Sequence, residues 1–287
     1  MPELPEVETV RKQLENKIQG KEIESVDVYS EKQTGFDDDY ESKLIGKTFE
    51  NINRIGKLLI FSFKDQADLF MLGHLKMTGQ LLYETNKNEV AGGGHTLSKS
   101  DTELPGRHTR LQFNLVGGDT LYFNDLRKFG YVKIVNKTDR DKVLANFGPE
   151  PIDPDFDCDY FYQTIHKSTQ PIKALLLDQS KFAGLGNIYV DEALFRAKVL
   201  PSRKANQVTK AESTELCKAT GDVMNESIAV GGTTFINFTD TNGYYGNFKD
   251  YLQVFGKQGT PCPRCGTGIE KIKLRGRGTH FCPRCQK

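Results

Sequence analysis

Two Cys-x2-Cys pairs near the C-terminus, Cys262/Cys265 and Cys282/Cys285, constrain this chain more than any other feature; sixteen residues separate them. Each pair forms a tight knuckle presenting two thiolates, and two knuckles close a tetrahedral site around one zinc ion. With all four positions filled by sulfur, no ligand position stays open, so the spacing predicts one structural Zn(2+). The surrounding residues 257–287 hold eight lysines or arginines against a single acid, Glu270. That leaves this tail at +7 in a chain whose total is +1, and the remainder at −6. A basic module on a mildly acidic body predicts an anionic partner gripped on one surface. Gly276 to His280 is expected at the turn of a zinc hairpin. Lys273, Arg275 and Arg277 alternate, which would place all three on one strand face, toward phosphates. The other two cysteines, Cys158 and Cys217, are expected to be separate buried thiols.

The 287 residues are enough for two domains and a small module, with a core that needs no disulfide. No apolar run approaches the ~20 residues of a membrane span, and the acidic, patterned N-terminus does not read as a signal peptide. A cytoplasmic protein is expected. Its opening, Met1-Pro2-Glu3-Leu4-Pro5-Glu6-Val7, carries the second chemical signal. Removal of Met1 exposes Pro2 as a secondary amine. An α-amine has a pKa of about 7.7–8.0, so a useful fraction is neutral near pH 7 and can form a Schiff base. Val7, Val10, Leu14 and Ile18 recur at helical spacing, predicting a helix over 3–18 that places Glu3 and Glu6 in its first turns. By itself that helix merely favours acids at its positive end.

Alternating apolar residues predict strands over 22–30, 49–63, 68–83 and 131–135, and a hairpin across 111–123 turning at Gly117-Gly118-Asp119. Lys57 interrupts the second of these. Residues 84–107 are polar, with Gly92-Gly93-Gly94, and are expected to form a loop. The fold class is therefore α+β. An antiparallel β-sandwich with a leading helix spans 1–135, and a Pro-rich linker spans 136–157. A helical domain follows over 158–250, with helices at 158–167, 171–179, 187–198 and 209–230 and a mobile loop over 231–250. The zinc finger occupies 251–287. Gly184-Leu185-Gly186-Asn187 opens the third of those helices; free backbone N–H groups at such a start can bind phosphate.

Taken together, these features resemble the bacterial formamidopyrimidine-DNA glycosylases, bifunctional enzymes that remove oxidised purines. Pro2-Glu3-Leu4-Pro5-Glu6-Val7-Glu8 is similar to the family's N-terminal signature. Gly184-Leu185-Gly186-Asn187-Ile188-Tyr189 is similar to its helix–two-turn–helix motif, and 259–286 to its zinc finger. The resemblance implies that Pro2 attacks C1′ of the damaged nucleotide, Glu3 protonates the opening sugar, and Glu6 supports the site. Lys57 would donate a proton in strand cleavage, and Arg277 would hold the 3′ phosphate and assist δ-elimination. Met77, Arg127 and Phe129 would fill the space left by the extruded base. His108, Lys173 and Asn187 would contact DNA, and the 231–250 loop would cap the lesion. The implied partner is duplex DNA holding oxidised purines or abasic sites, bound by a monomer in the cytoplasm at the nucleoid.

Read without the resemblance, Lys57 suits an exposed strand rung, Met77 a core position and Arg127 to Phe129 a polar strand end. Leu4, Arg127 and Phe129 favour a purine enzyme over a relative of the endonuclease VIII kind. Intact Pro2, Glu3 and Lys57 disfavour a non-catalytic DNA binder. Three departures fall among the DNA contacts: the long 84–107 segment, Arg110 where a second histidine is common, and Thr169 where a basic residue is common.

Overall fold

The computed structural model describes residues 2–87, 89–95, 104–233, 238–239 and 248–287. The chain forms two compact units, Met1–Ala145 with Val230–Lys249, and Asn146–Ala229 with Asp250–Lys287.

The first unit opens with α1 (Leu4–Ile18), β1 (Ile23–Val28), and the short helices α2 (Glu31–Thr34) and α3 (Tyr40–Leu44). Strands β2 (Phe49–Ile55), β3 (Leu58–Phe63), β4 (Phe70–His74), β5 (Gly79–Glu84), β6 (Val90–His95), β7 (Thr109–Leu115), β8 (Thr120–Asp125) and β9 (Tyr131–Val135) follow. Helix α4 (Lys137–Leu144) and, much later, β10 (Phe238–Thr239) complete it. Two antiparallel sheets result, ordered β1-β7-β8-β5-β6-β10 and β2-β3-β4-β9. The expected sandwich is present, and α1 contributes Val7, Val10, Leu14 and Ile18, each at most 1% exposed, to its core. That 3.6-residue stripe sits among Phe49, Phe61, Phe113 and Phe123, and its burial drives the helix onto the sheets.

Several boundaries differ from the sequence expectation. The long strands expected over 49–63 and 68–83 are each two strands. Gly56-Lys57 is a two-residue turn between Ile55 and Leu58, with positive φ at the glycine alone, the II′ pattern that suits strand twist. The expected 84–107 loop contains β6, where Gly92, Gly93 and Gly94 pair with Leu82, Leu81 and Gln80 of β5. Polar composition hid a strand whose register its partner supplies. The linker contains α4, capped by the Asn136 side chain accepting from the Asp139 N–H.

In the second unit α5 (Cys158–His166), α6 (Ile172–Leu176), α7 (Asn187–Arg196) and α8 (Lys210–Ala229) precede the finger hairpin, β11 (Glu270–Leu274) and β12 (Arg277–Phe281). The helices fall where apolar spacing placed them. Cys158 and Cys217 are not separate thiols: they form a disulfide joining α5 to α8, with Cα atoms 5.8 Å apart. They lie 59 positions apart in sequence, so only the packing of the two helices reveals the pair. No helix among the described residues is long and apolar enough to cross a membrane.

Candidate active site and nucleic-acid interface

The N-terminal groups are built by capping chemistry. Glu3 is the N-cap of α1 and Glu6 its third residue, and the two form a reciprocal capping box. Glu6 Oε2 accepts from the Glu3 N–H at 2.8 Å, and Glu6 Oε1 accepts from the Thr233 N–H at 2.8 Å. One carboxylate thus ties the chain start to a segment 227 residues away. Pro2, Glu3 and Glu6 are all buried. Burying a carboxylate at a helix end is costly unless it is bonded, and both Glu6 oxygens accept a backbone N–H.

Lys57 is 8% exposed although it lies in a two-residue turn, where lysine ordinarily points to water. Its turn is held by Arg54, whose Nη1 donates to the Gly56 carbonyl at 3.0 Å and whose Nε donates to Glu8 Oε2 at 2.9 Å. Glu8 is on α1, so the Glu8–Arg54 pair links the helix that carries Glu3 and Glu6 to the turn that carries Lys57. Arg11 adds a second guanidinium on Glu8. Burial pushes the Glu8 carboxyl up, but the two arginines outweigh it and hold the pKa below the usual value. Neither Glu8 nor Arg54 stood out in the sequence, because a carboxylate on a helix and an arginine in a strand are common surface features.

Met77, Arg127 and Phe129 come together. Arg127 Nη1 lies 2.9 Å from Met77 Sδ, and the guanidinium sits 4.7 Å from the Phe129 ring centroid. Met77 is 43% and Phe129 50% exposed, so neither is a core residue. Their loops are rigidly made. Asp125, fully buried, accepts from the Thr78 hydroxyl, from the Arg127 N–H at 3.1 Å and from the Gly130 N–H at 2.7 Å. A Cβ on Gly79 would lie 2.4 Å from the Leu75 carbonyl oxygen, and one on Gly130 2.8 Å from the Phe123 ring. Only glycine closes these two turns.

His74, at the end of β4, was missed in the sequence. Its Nδ1 accepts from the Lys76 N–H at 3.0 Å, so the neutral ring carries its proton on Nε2. Burial, then the charges of Lys76 and Lys57, lower its pKa to about 3. A neutral donor beside two lysines suits a phosphate oxygen. His108 is half-buried and precedes Thr109 at the start of β7. Arg110 is 7% exposed and donates to the backbone carbonyls of Asp125, Arg107 and Thr109, so it braces loops and is not a free surface cation. Most of the 231–250 loop lies outside the described residues.

In the second unit the four cysteine sulfurs all lie within 4.8 Å of one another, with Cys265–Cys282 at 3.5 Å and Cys262–Cys285 at 3.9 Å. Tetrahedral Zn–S bonds of about 2.3 Å require sulfurs about 3.8 Å apart, so the quartet fits one zinc ion. Knuckle N–H groups of Arg264 and Cys285 point at sulfur, each at 3.4 Å. Around the quartet, Phe195, Val254 and Ile269 form a small core. Glu192, 1% exposed, accepts from the N–H groups of Gln253, Val254 and Phe255, anchoring the chain that enters the finger.

The finger's basic residues are arranged differently from the expectation. Arg275 and Gly276 form the turn, both with positive φ, and Gly276 to His280 is not the turn but largely strand β12. Leu274 pairs with Arg277, and Lys273 with Gly278. Paired positions share a face and neighbours alternate, so Lys273 and Arg277 occupy opposite faces. Arg277 remains exposed beside the turn.

Lys173 is the main correction. It was expected to touch DNA, but it is 1% exposed, with Nζ 2.6 Å from Asp191 Oδ1 and 2.9 Å from the Gly278 carbonyl. Asp191 Oδ2 accepts from the His280 N–H at 2.9 Å. Asn187, the first residue of α7, donates from Nδ2 to the same Gly278 carbonyl at 3.0 Å. Lys173, Asp191 and Asn187 therefore hold the strand that begins with Arg277.

Comparison with known proteins identifies what class of molecule this architecture belongs to. Residues 1–132 match the formamidopyrimidine-DNA glycosylase N-terminal domain, 147–239 the formamidopyrimidine-DNA glycosylase H2TH domain, and 259–287 the zinc finger found in FPG and IleRS. The chain is 44% identical to the formamidopyrimidine-DNA glycosylase of Streptococcus mutans over 293 residues and 40% identical to that of Listeria innocua over 291, covering all of each protein. Among solved structures it is similar to a Lactococcus lactis FPG mutant in complex with Fapy-dG DNA (TM-score 0.87, 37% identity). It is also similar to MutM in complex with carbocyclic 8-oxo-G DNA (TM-score 0.86, 36% identity), with full coverage of both chains in each case. The chain belongs to the formamidopyrimidine-DNA glycosylase family.

Proposed function

We propose that the protein is a bifunctional DNA glycosylase and abasic-site lyase of base excision repair, acting on 8-oxoguanine and formamidopyrimidines in duplex DNA. The observation that carries this reading is a buried Pro2 at the mouth of α1, flanked by Glu3 and Glu6 in their capping box, with a turn lysine, Lys57, buried instead of solvated. Solved relatives hold Fapy-dG, 8-oxo-G or abasic-site DNA, which supports the substrate class.

The neutral Pro2 nitrogen attacks C1′ as the bond to the base breaks, and the proton that the nitrogen gives up leaves with the base. Glu3 protonates the sugar ring oxygen, which opens the ring and yields the iminium. Loss of a C2′ proton then expels the 3′ phosphate. Lys57 supplies a proton in that cleavage, and Arg277 assists the second elimination. Met77, Arg127 and Phe129 hold the duplex open, because a base inside the stack cannot be reached. His74, His108, Asn187 and Arg277 contact phosphates, and zinc shapes the finger without entering the chemistry. The functional division follows residues 1–135, 136–157, 158–250 and 251–287, and the enzyme works as a monomer on the cytoplasmic nucleoid.

Borohydride reduction on abasic-site DNA tests the nucleophile. Protein lacking Met1 is expected to trap a covalent adduct. A tag fused ahead of Pro2 should lower trapping by about a thousandfold or more, because an acylated nitrogen has no lone pair to offer. Efficient trapping by tagged protein refutes the assignment.

A further inference from the structure

A cavity of about 480 Å³ opens in the first unit, lined by Lys32, Lys76, Lys128 and Lys133 together with Met77, Phe129 and Tyr131. No carboxylate lines it, and none of the four lysines enters an ion pair among the described residues. Three of the ammonium groups instead lie over aromatic faces: Lys32 at 6.0 Å from the Phe129 centroid, and Lys76 and Lys133 at 5.8 and 5.2 Å from Tyr131. Four like charges around one hollow repel one another, and a bound anion relieves that repulsion.

The backbone supports the same reading. Lys76 and Lys128 have φ of 50° and 55°, in the left-handed region that lysine seldom adopts. Each is next to a wedge residue, Met77 in one turn and Arg127 and Phe129 in the other. The walls come from α2, the β4–β5 turn and β9 with the loop before it, none of which carries Pro2, Glu3 or Lys57.

We propose that this lysine-lined cavity binds backbone phosphates of the DNA strand opposite the lesion. The inference rests on the proposed action on duplex DNA. A wedge entering the stack divides the two strands. The catalytic groups require the lesion strand, so the cationic hollow bordering Met77 and Phe129 takes the other. Its charge is sequence-independent, as backbone recognition requires. The aromatic floor positions the ammonium groups without neutralising them.

The test uses the full-length protein and a duplex carrying a non-cleavable abasic analogue, with binding followed by fluorescence anisotropy across a salt series. Lys32→Gln/Lys133→Gln changes two exposed side chains and should fold normally. The slope of log affinity against log salt should fall by roughly 2, since each phosphate contact contributes about 0.9. Uncharged methylphosphonate linkages in the opposite strand should weaken the wild type but cost the variant little more. The same linkages in the lesion strand should cost both proteins equally. An unchanged slope, or full additivity of the variant with opposite-strand neutralisation, overturns the proposal. An equal loss of slope on the single-stranded lesion oligonucleotide also overturns it, because the site would then serve the lesion strand. Borohydride trapping by the wild type separates these outcomes from a failure of the enzymatic reading.

Discussion

The two units bury charge for different ends. In the first, the buried carboxylates Glu3 and Glu6 stand within the first six residues and join in a capping box, where both Glu6 oxygens accept from backbone N–H groups, the bonds a helix end leaves open. In the second, Lys173, Asp191 and His280 come from positions up to 107 residues apart and satisfy one another across α6, α7 and the finger hairpin. A buried group at the proposed reacting centre and one that braces a fold can therefore share the same low exposure. What separates them is the kind of partner: Glu6 accepts from backbone N–H groups, whereas Lys173 and Asp191 meet as opposite charges.

The largest break in that contrast is Asp191→Ala. It leaves the Lys173 ammonium buried beside a lost partner, and removing one member of such a pair costs about 3–5 kcal/mol. A correspondingly lower urea midpoint for the variant is the expected outcome. Replacing both residues, Lys173→Met with Asp191→Leu, should recover most of the stability, because no charge then stays buried. If instead the Asp191 single variant kept wild-type stability and lost only DNA binding, Lys173 would be a ligand group, as the sequence suggested.

An intermediate effect is expected from Met77 and Phe129, the exposed residues of the first unit proposed to wedge the duplex. Met77→Ala and Phe129→Ala should slow single-turnover excision of 8-oxoguanine from a paired duplex about tenfold or more, since unstacking a base costs a few kcal/mol. Cleavage of a preformed abasic site should stay near wild type. Equal loss on both substrates would assign these residues to general binding. Their loops would then need no wedge role to explain Asp125, Thr78 and the two obligatory glycines.

The third effect concerns His74. Its folded pKa of about 3 lies below the unfolded value of about 6.5. Between those values the unfolded chain binds the extra proton, so this residue's contribution to stability is present above pH 6.5 and is lost as pH falls toward 3. His74→Gln should flatten the stability profile in that window, read by thermal melts from pH 4 to 7. An unchanged slope would show that the ring is not held neutral.

The residues whose chemistry is local were legible before any coordinates. The Cys-x2-Cys spacing specifies a knuckle whatever surrounds it, and the Pro2-Glu3-Glu6 run specifies a capped helix start. The 3.6-residue stripe of α1 and the later helices were equally readable, because periodicity encodes which face is buried. Turn chemistry was read less well. Gly56-Lys57 is a hairpin turn, and the sequence showed only an interruption there. The polar strand β6 had no apolar pattern to announce it.

Tertiary structure alone decided the rest. It paired Cys158 with Cys217, turned Lys173 from a DNA contact into a strut, sent Lys273 and Arg277 to opposite faces, and made Glu8 and Arg54 the link between α1 and the Lys57 turn. Each of these depends on which distant segment lies opposite. A side chain's type sets what it can bond, whereas its partner is chosen by the packing of the whole chain.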